Sequence, residues 1–317
     1  MQSEIVISQI FILAVVVLIG AVAAKFKVFT SDSKDVLSKV IFNISLPLML
    51  FTNFFRLEAT PRLITNSMLI LAISGFIIFF LLFIGWISTR VFRLQGAEAA
   101  VFKVHSMFGN TIFLGFPLIT ALYGVEGLLY ASMFQLVSTI IMWTAGVIIL
   151  SHGNGTPWKK SLIKVLNPNT IATVAGLIFF VLSVRLPEIV LKPMTELGSA
   201  NTWLSMLYIG AMLAFSNVGN LLKKKSLYLV SFNRLILGPA LLISIFYFIG
   251  AVTGLFPEKL VTSVIILEAS MPCMATVVIM AKEFGSDDRI AVGNVFVSTI
   301  ISILTLPLVV MVLEKLL

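Results

Sequence analysis

The sequence predicts an all-α membrane protein of ten transmembrane helices, laid out as two inverted five-helix repeats, and three observations lead there. With 59% apolar residues and only 11% charged, the 317-residue chain has too little polar surface to cover a soluble globule of its size. Its mean hydropathy is +1.09. Apolar runs of about 18–25 residues alternate with short polar joints, the length an α-helix needs to cross roughly 30 Å of hydrocarbon. Two of those runs are interrupted by polar and helix-breaking residues, Gly109 to Pro117 and Glu268 to Pro272. Unpaired backbone is costly in hydrocarbon, so such interruptions belong where protein encloses a cavity.

Taken in order, the expected spans lie at about 5–24, 36–55, 65–90, 97–122, 126–150, 168–185, 194–220, 226–250, 258–282 and 288–313. The residues before Ile5 lack the basic region of a signal peptide, and no small-residue cleavage site interrupts the first run. The first span is therefore expected to be retained. Of the 22 Lys and Arg, 16 fall in the joints after spans 1, 3, 5, 7 and 9 or at the adjoining helix ends. The remaining 6 are Arg56, Arg62, Arg185, Lys192, Lys259 and Lys315. Bases favour the cytoplasmic side, so both termini are expected on the non-cytoplasmic side of the plasma (inner) membrane. The same rule accounts for the net charge of +8, and nucleic-acid binding is not expected.

The longest polar joint, Ser151 to Leu166, divides the chain into a first repeat at 1–151, a cytoplasmic linker at 152–167 and a second repeat at 168–317. An odd number of spans per half makes the second half enter the bilayer upside down relative to the first, as in many secondary transporters. Weak internal echoes fall where that symmetry pairs spans. Val137-Ser138-Thr139-Ile140-Ile141 recurs as Val297-Ser298-Thr299-Ile300-Ile301, and Asn43-Ile44-Ser45-Leu46 faintly resembles Asn201-Thr202-Trp203-Leu204.

The polar residues inside the spans are the candidate site. Asn110 and Glu268 enter from opposite sides, about 13 and 10 residues deep, and at ~1.5 Å per residue both reach mid-membrane. Interrupted spans at corresponding places in two halves point to the binding site of a carrier. A broken helix frees N–H groups that suit an anion and carbonyls that suit a cation. Gly109 and Gly115 permit close backbone approach around Asn110 and Thr111. An ionisable group at mid-depth costs ~2.5 kcal/mol or more unless paired, hydrated or neutralised, which marks Glu268 as a cation ligand or proton carrier. Arg234 either pairs with Glu268, binds a substrate carboxylate or extends to the cytoplasmic surface. Lys103 and His105 are expected to reach that surface, and His152 to be solvated in the joint. Asn167-Pro168-Asn169-Thr170 opens span 6 with residues that cap a helix and could also face a cavity. The single cysteine, Cys273, excludes an intramolecular disulfide and a cysteine metal cluster. No phosphate-binding loop, metalloprotease motif or nucleophile triad is present, so the chain is not expected to be an enzyme or to need a cofactor.

At these residues the chain resembles the auxin efflux carrier family, which joins bacterial permeases for malate and related acids to the plant PIN-formed auxin carriers. The resemblance rests on Asn110-Thr111 with Gly115-Phe116-Pro117, on Asn167-Pro168-Asn169-Thr170, and on Leu267 to Pro272 continuing to Ala281-Lys282-Glu283-Phe284-Gly285. It implies a fold similar to the bile-acid sodium symporters, with a scaffold of helices 1, 2, 6 and 7 and a transport domain of helices 3–5 and 8–10. Broken helices 4 and 9 would cross at their prolines, here Pro117 and Pro272. The substrate carboxylate would lie beside Asn110 and Thr111, with Asn167 and Asn169 matching the asparagines of helix 6. The long regulatory loop of the plant carriers is reduced here to Ser151 to Leu166. Glu268 departs from the plant pattern. The symporters carry a sodium-binding acid in helix 9, which leaves the coupling ion open between H+, and Na+ held by Glu268 with Ser138 or Ser298. Implied partners are a small organic anion, the lipid bilayer and a second copy of the chain at the scaffold. The expected function is secondary transport of a small organic carboxylate by an elevator-type movement. The alternative is a channel or membrane-embedded ligand sensor using the same cavity.

Overall fold

The computed structural model describes residues 2–151, 162–215, 219–253 and 257–316. His152 and most of the linker expected at 152–167, Lys159 and Lys160 included, lie outside the described residues. The described chain is helical and contains no strand. Its helices are α1 (Gln2–Lys25), α2 (Ser31–Val40), α3 (Leu46–Asn53), α4 (Pro61–Val91), α5 (Gly96–Met107), α6 (Phe116–Ile141), α7 (Val147–Leu150) and α8 (Pro168–Val181). There follow α9 (Glu188–Ser199), α10 (Asn201–Phe215), α11 (Lys225–Phe232), α12 (Gly238–Thr253), α13 (Lys259–Ala269), α14 (Thr276–Glu283) and α15 (Asp288–Leu316). Wide π-helical turns join several of these, at Ile41–Ser45, Thr111–Gly115, Met142–Gly146 and Asn233–Leu237. Such turns often mark functional positions in a helix.

Five helical stretches among the described residues are long and apolar enough to cross a membrane, namely Asp32–Arg56, Pro61–Val91, Thr111–Leu150, Lys225–Val252 and Asp288–Lys315. Phe11–Lys25 and Pro168–Val181 are shorter apolar helices. This is an integral membrane protein. Two local departures from regular helix shorten the other apolar runs. The run expected at 97–122 is divided at Phe108, where α5 ends in extended backbone (φ −114°, ψ 122°). The run expected at 258–282 stops at Ala269 and resumes at Thr276. Gly124, with φ 63° and ψ −148°, bends α6 where the expected spans 4 and 5 part. Only glycine adopts that conformation without steric cost.

The chain packs as two compact units. The first comprises Met1–Ile70, Ile112–Leu136 and Leu166–Ser216. In it α1 lies against α10 at glycine contacts. A Cβ on Gly20 would stand 2.3 Å from the Leu207 carbonyl oxygen, and one on Gly210 would stand 1.9 Å from that of Val17. Without a hydrophobic drive between helices in lipid, close backbone approach through small residues is what holds such pairs together. Helix α3 packs on α8 and α9, with Gly176 under the Phe54 ring and Gly198 against the Met49 backbone. Phe51, Phe55 and Phe179 form an aromatic cluster, and Ser45 Oγ donates to Asn201 Oδ1 at 3.1 Å.

The second unit comprises Leu71–Thr111, Val137–Val165 and Asn217–Leu317. Helix α15 runs against α11 and α14, and Gly293 gives room to the Leu227 side chain. Polar bonds fix the ends of this unit. Ser226 Oγ donates to Glu98 at 2.5 Å, Asn233 Nδ2 donates to Ser88 Oγ at 2.7 Å, and Lys164 pairs with Glu283. Exposed Phe76, Phe83, Ile279 and Leu304 sit on helix faces that lipid would cover.

The glycine seam predicts a measurable cost. Gly210→Leu should lower the unfolding temperature of the detergent-solubilised protein by several degrees, corresponding to the ~1–3 kcal/mol typical of overpacking. An unchanged melting curve would show that α1 and α10 are not in backbone contact.

Candidate functional site

The second unit holds the unwound backbone of both broken runs, and the two stretches pair. Gly109 and Cys273 form an isolated antiparallel bridge. Asn110 N donates to the Pro272 carbonyl at 2.6 Å, and Met274 N donates to that of Phe108 at 3.3 Å. Residues 108–110 and 272–274 thus make two rungs of a miniature sheet inside the membrane-embedded unit. Each break supplies what the other lacks, which is how non-helical backbone can persist without water.

The remaining freed groups are satisfied by three buried side chains. Arg234, 1% exposed, donates from Nε to Met271 O at 2.9 Å, from Nη1 to Ser106 O and Met107 O at 3.1 Å each, and from Nη2 to Glu268 O at 3.1 Å. One guanidinium therefore caps the C-terminal ends of α5 and α13 together. The N–H of Cys273 donates to Ser298 Oγ at 3.0 Å, and that hydroxyl donates to Asn294 O at 2.6 Å. His105 is fully buried, with Nε2 3.3 Å from Met274 O and Nδ1 3.0 Å from Asn294 Nδ2. It does not extend outward as its place near a helix end suggested, because the break offers it an unpaired carbonyl. Arg234 likewise turns inward, aimed by the π-helical turn Asn233–Leu237. Gly109 leaves space for it, since a Cβ there would stand 2.2 Å from Nη2.

The N–H groups of Asn110 and Met274 are thus engaged between the two breaks, and that of Cys273 by Ser298, so these three are not offered to an anion. Asn110 and Thr111 are buried in this unit, at 2% and 1% exposure. Glu268 is fully buried, and neither carboxylate oxygen has a hydrogen-bond partner among the described residues. Its backbone carbonyl, not its carboxylate, receives Arg234. Ser138 is buried in the same unit, and Pro272 lies in the break itself.

In the first unit, Asn167 caps α8, its Oδ1 accepting from the N–H groups of Asn169 and Thr170 at 3.0 and 3.1 Å. Asn169 is 6% exposed, and both atoms of its amide lack a partner among the described residues. Pro117 sits in the first turn of α6, where proline is tolerated. The sequence did not point to a cavity of about 120 Å³ in this unit, bordered by Thr52, Asn53, Thr120, Thr195, Ser199 and exposed Arg56. The i, i+4 spacing of Thr195 and Ser199 on α9 was its only legible sign.

A polytopic membrane protein with two facing helix breaks and a buried, unpartnered carboxylate has the build of a transporter. Comparison with known sequences agrees. The family described as membrane transport protein matches residues 5–160 and 156–310, and the chain belongs to that family, the auxin efflux carriers. An uncharacterized transporter of Methanothermobacter thermautotrophicus is 28% identical over 303 residues, covering 93% of this chain and 94% of its own. The uncharacterized transporter YfdV of Escherichia coli is 23% identical, covering 95% and 96%. Auxin efflux carrier component 8 of Arabidopsis thaliana is 24% identical over 254 residues, covering 63% and 67%.

Removing the Ser298 hydroxyl would leave the Cys273 N–H buried without an acceptor. Ser298→Ala should cost about 1–3 kcal/mol of stability, read as a lower unfolding temperature that Ser298→Thr restores. Equal stability of all three proteins would mean that the hydroxyl does not hold the break.

Proposed function

We propose that this protein is a secondary carrier for a small organic carboxylate, with ten spans as two inverted five-helix repeats, both termini non-cytoplasmic, in the plasma membrane. Asn110 and Thr111 hold the substrate carboxylate by hydrogen bonds. Glu268 couples a cation to the cycle. Helices 3–5 and 8–10 move in an elevator-like step past the scaffold helices 1, 2, 6 and 7, through which two copies of the chain associate. Asn169, with its uncommitted amide, is a further candidate for contact with the substrate, and Asn167 supports it as the helix cap.

One observation carries this reading. Backbone groups of the two breaks pair with each other and with Arg234 and Ser298, yet the Glu268 carboxylate, four residues before Pro272, has no hydrogen-bond partner among the described residues. A structural kink needs no such group. An ionisable side chain kept at that cost is a working part by default. Membership of a family of membrane transport proteins supports the same class. The Arabidopsis relative is named for efflux of auxin, itself a carboxylate, which favours an organic acid as the substrate class.

Asn110→Ala tests the reading in proteoliposomes loaded with mono- and dicarboxylates. It should reduce uptake about tenfold or more, since hydrogen bonds to a charged group contribute ~1.5–3 kcal/mol and each 1.4 kcal/mol is a decade in affinity. Wild-type uptake of every acid by the folded variant would refute the assignment. Saturable counterflow of labelled substrate is expected, and its absence beside a linear flux would favour a channel.

A further inference from the structure

Carbonyl oxygens at the ends of broken membrane helices are where carriers commonly hold a coupling cation. The resemblance to the bile-acid sodium symporters places sodium beside the acid of span 9. The residues present here do not fit that ion. Of the carbonyls freed at the two breaks, those of Ser106, Met107, Glu268 and Met271 all accept from the Arg234 guanidinium, at 2.9–3.1 Å. Of the two hydroxyls expected as companion ligands, that of Ser298 accepts from Cys273 N and donates to Asn294 O. Met274 O faces His105, and the Phe108 and Pro272 carbonyls accept N–H groups of the opposite break. Of the expected ligands Glu268 and Ser138 remain, and two side chains do not make a cage for a hard cation that needs several converging oxygens.

We propose that Arg234 is a resident cation occupying the coupling-sodium position of this break, so that the protein binds no sodium there and works without a sodium gradient. The proposal rests on the carrier reading of the same site. Three features show that the place is built for a guanidinium. The four acceptors meet its planar fork of donors, a pattern that a spherical ion does not require. They lie at the C-terminal ends of α5 and α13, the negative ends of the helix dipoles. Gly109 is the residue whose missing side chain makes room for Nη2. A mobile cation brought to the same carbonyls would meet a fixed positive charge already among them.

The test is thermal unfolding of the purified full chain in sodium chloride and in choline chloride at equal ionic strength. The wild-type protein should melt at the same temperature in both, because an ion that binds only the native state would raise it. Arg234→Ala should melt several degrees lower in choline, and sodium should restore part of that loss. A sodium-dependent rise in the wild-type melting temperature would overturn the proposal, as would a folded Arg234→Ala protein indifferent to sodium. If the variant does not fold, the wild-type comparison alone decides. The readout is ion binding and not uptake, so a sodium response would leave the Asn110 assignment standing. Loss of that assignment would leave the ion result to be judged separately.

Discussion

One guanidinium on four carbonyl oxygens is the interaction on which the second unit depends. Breaking a helix inside a bilayer exposes groups that cost several kcal/mol each if left unpaired. Arg234 answers four of them at once and joins the end of α5 to the end of α13. The cost of burying its charge is offset because charge-assisted hydrogen bonds are roughly twice as strong as neutral ones. The pairing of residues 108–110 with 272–274 and the Ser298 and His105 contacts supply further partners. A substitution at Arg234, Gly109 or Ser298 therefore acts on the geometry of the break before it acts on any bound solute.

Beyond the backbone, two buried side chains retain uncommitted polar atoms. Glu268 keeps two oxygens without hydrogen-bond partners among the described residues of the second unit. Asn169 keeps its whole amide in the other unit. Both are buried at a cost that packing alone does not explain. The first unit achieves its close packing by another route, the backbone contacts at Gly20, Gly198 and Gly210. Small residues there do what an arginine and a serine do at the break. They let chains approach without leaving polar groups stranded.

The location of the breaks was legible in the sequence because Gly109, Asn110, Glu268 and Pro272 are conspicuous in apolar surroundings. The detail of the first break was not. Pro117 marks it to the eye, but proline fits the opening turn of α6, and the backbone opens upstream at Phe108, where an antiparallel partner is available. Arg234 could not be placed from local pattern. Its acceptors lie 34 to 128 residues away in the chain, and the sequence left pairing with Glu268, substrate binding and extension to the surface equally open. His105 was misplaced for the same reason, as its partners Met274 and Asn294 come from the other broken run and from α15. The cavity bordered by Thr52, Thr120, Thr195 and Ser199 joins three elements by hydroxyls too common to stand out.

The account's central claim is that the two broken runs meet through paired backbone inside the membrane-embedded unit. Phe108 and Met274 flank the Gly109 and Cys273 bridge as an opposed pair. Opposed antiparallel residues have Cα atoms about 4.5–5.5 Å apart, within the roughly 4.4–6.8 Å of a disulfide. The direct measurement is oxidation of a Phe108→Cys, Met274→Cys protein in a Cys273→Ala background, with a protease site inserted in the joint at 152–161. After cleavage the two halves should migrate together on a non-reducing gel and separate on reduction. Halves that separate without reduction, from a folded protein whose two thiols both react with a small alkylating reagent, would contradict the account.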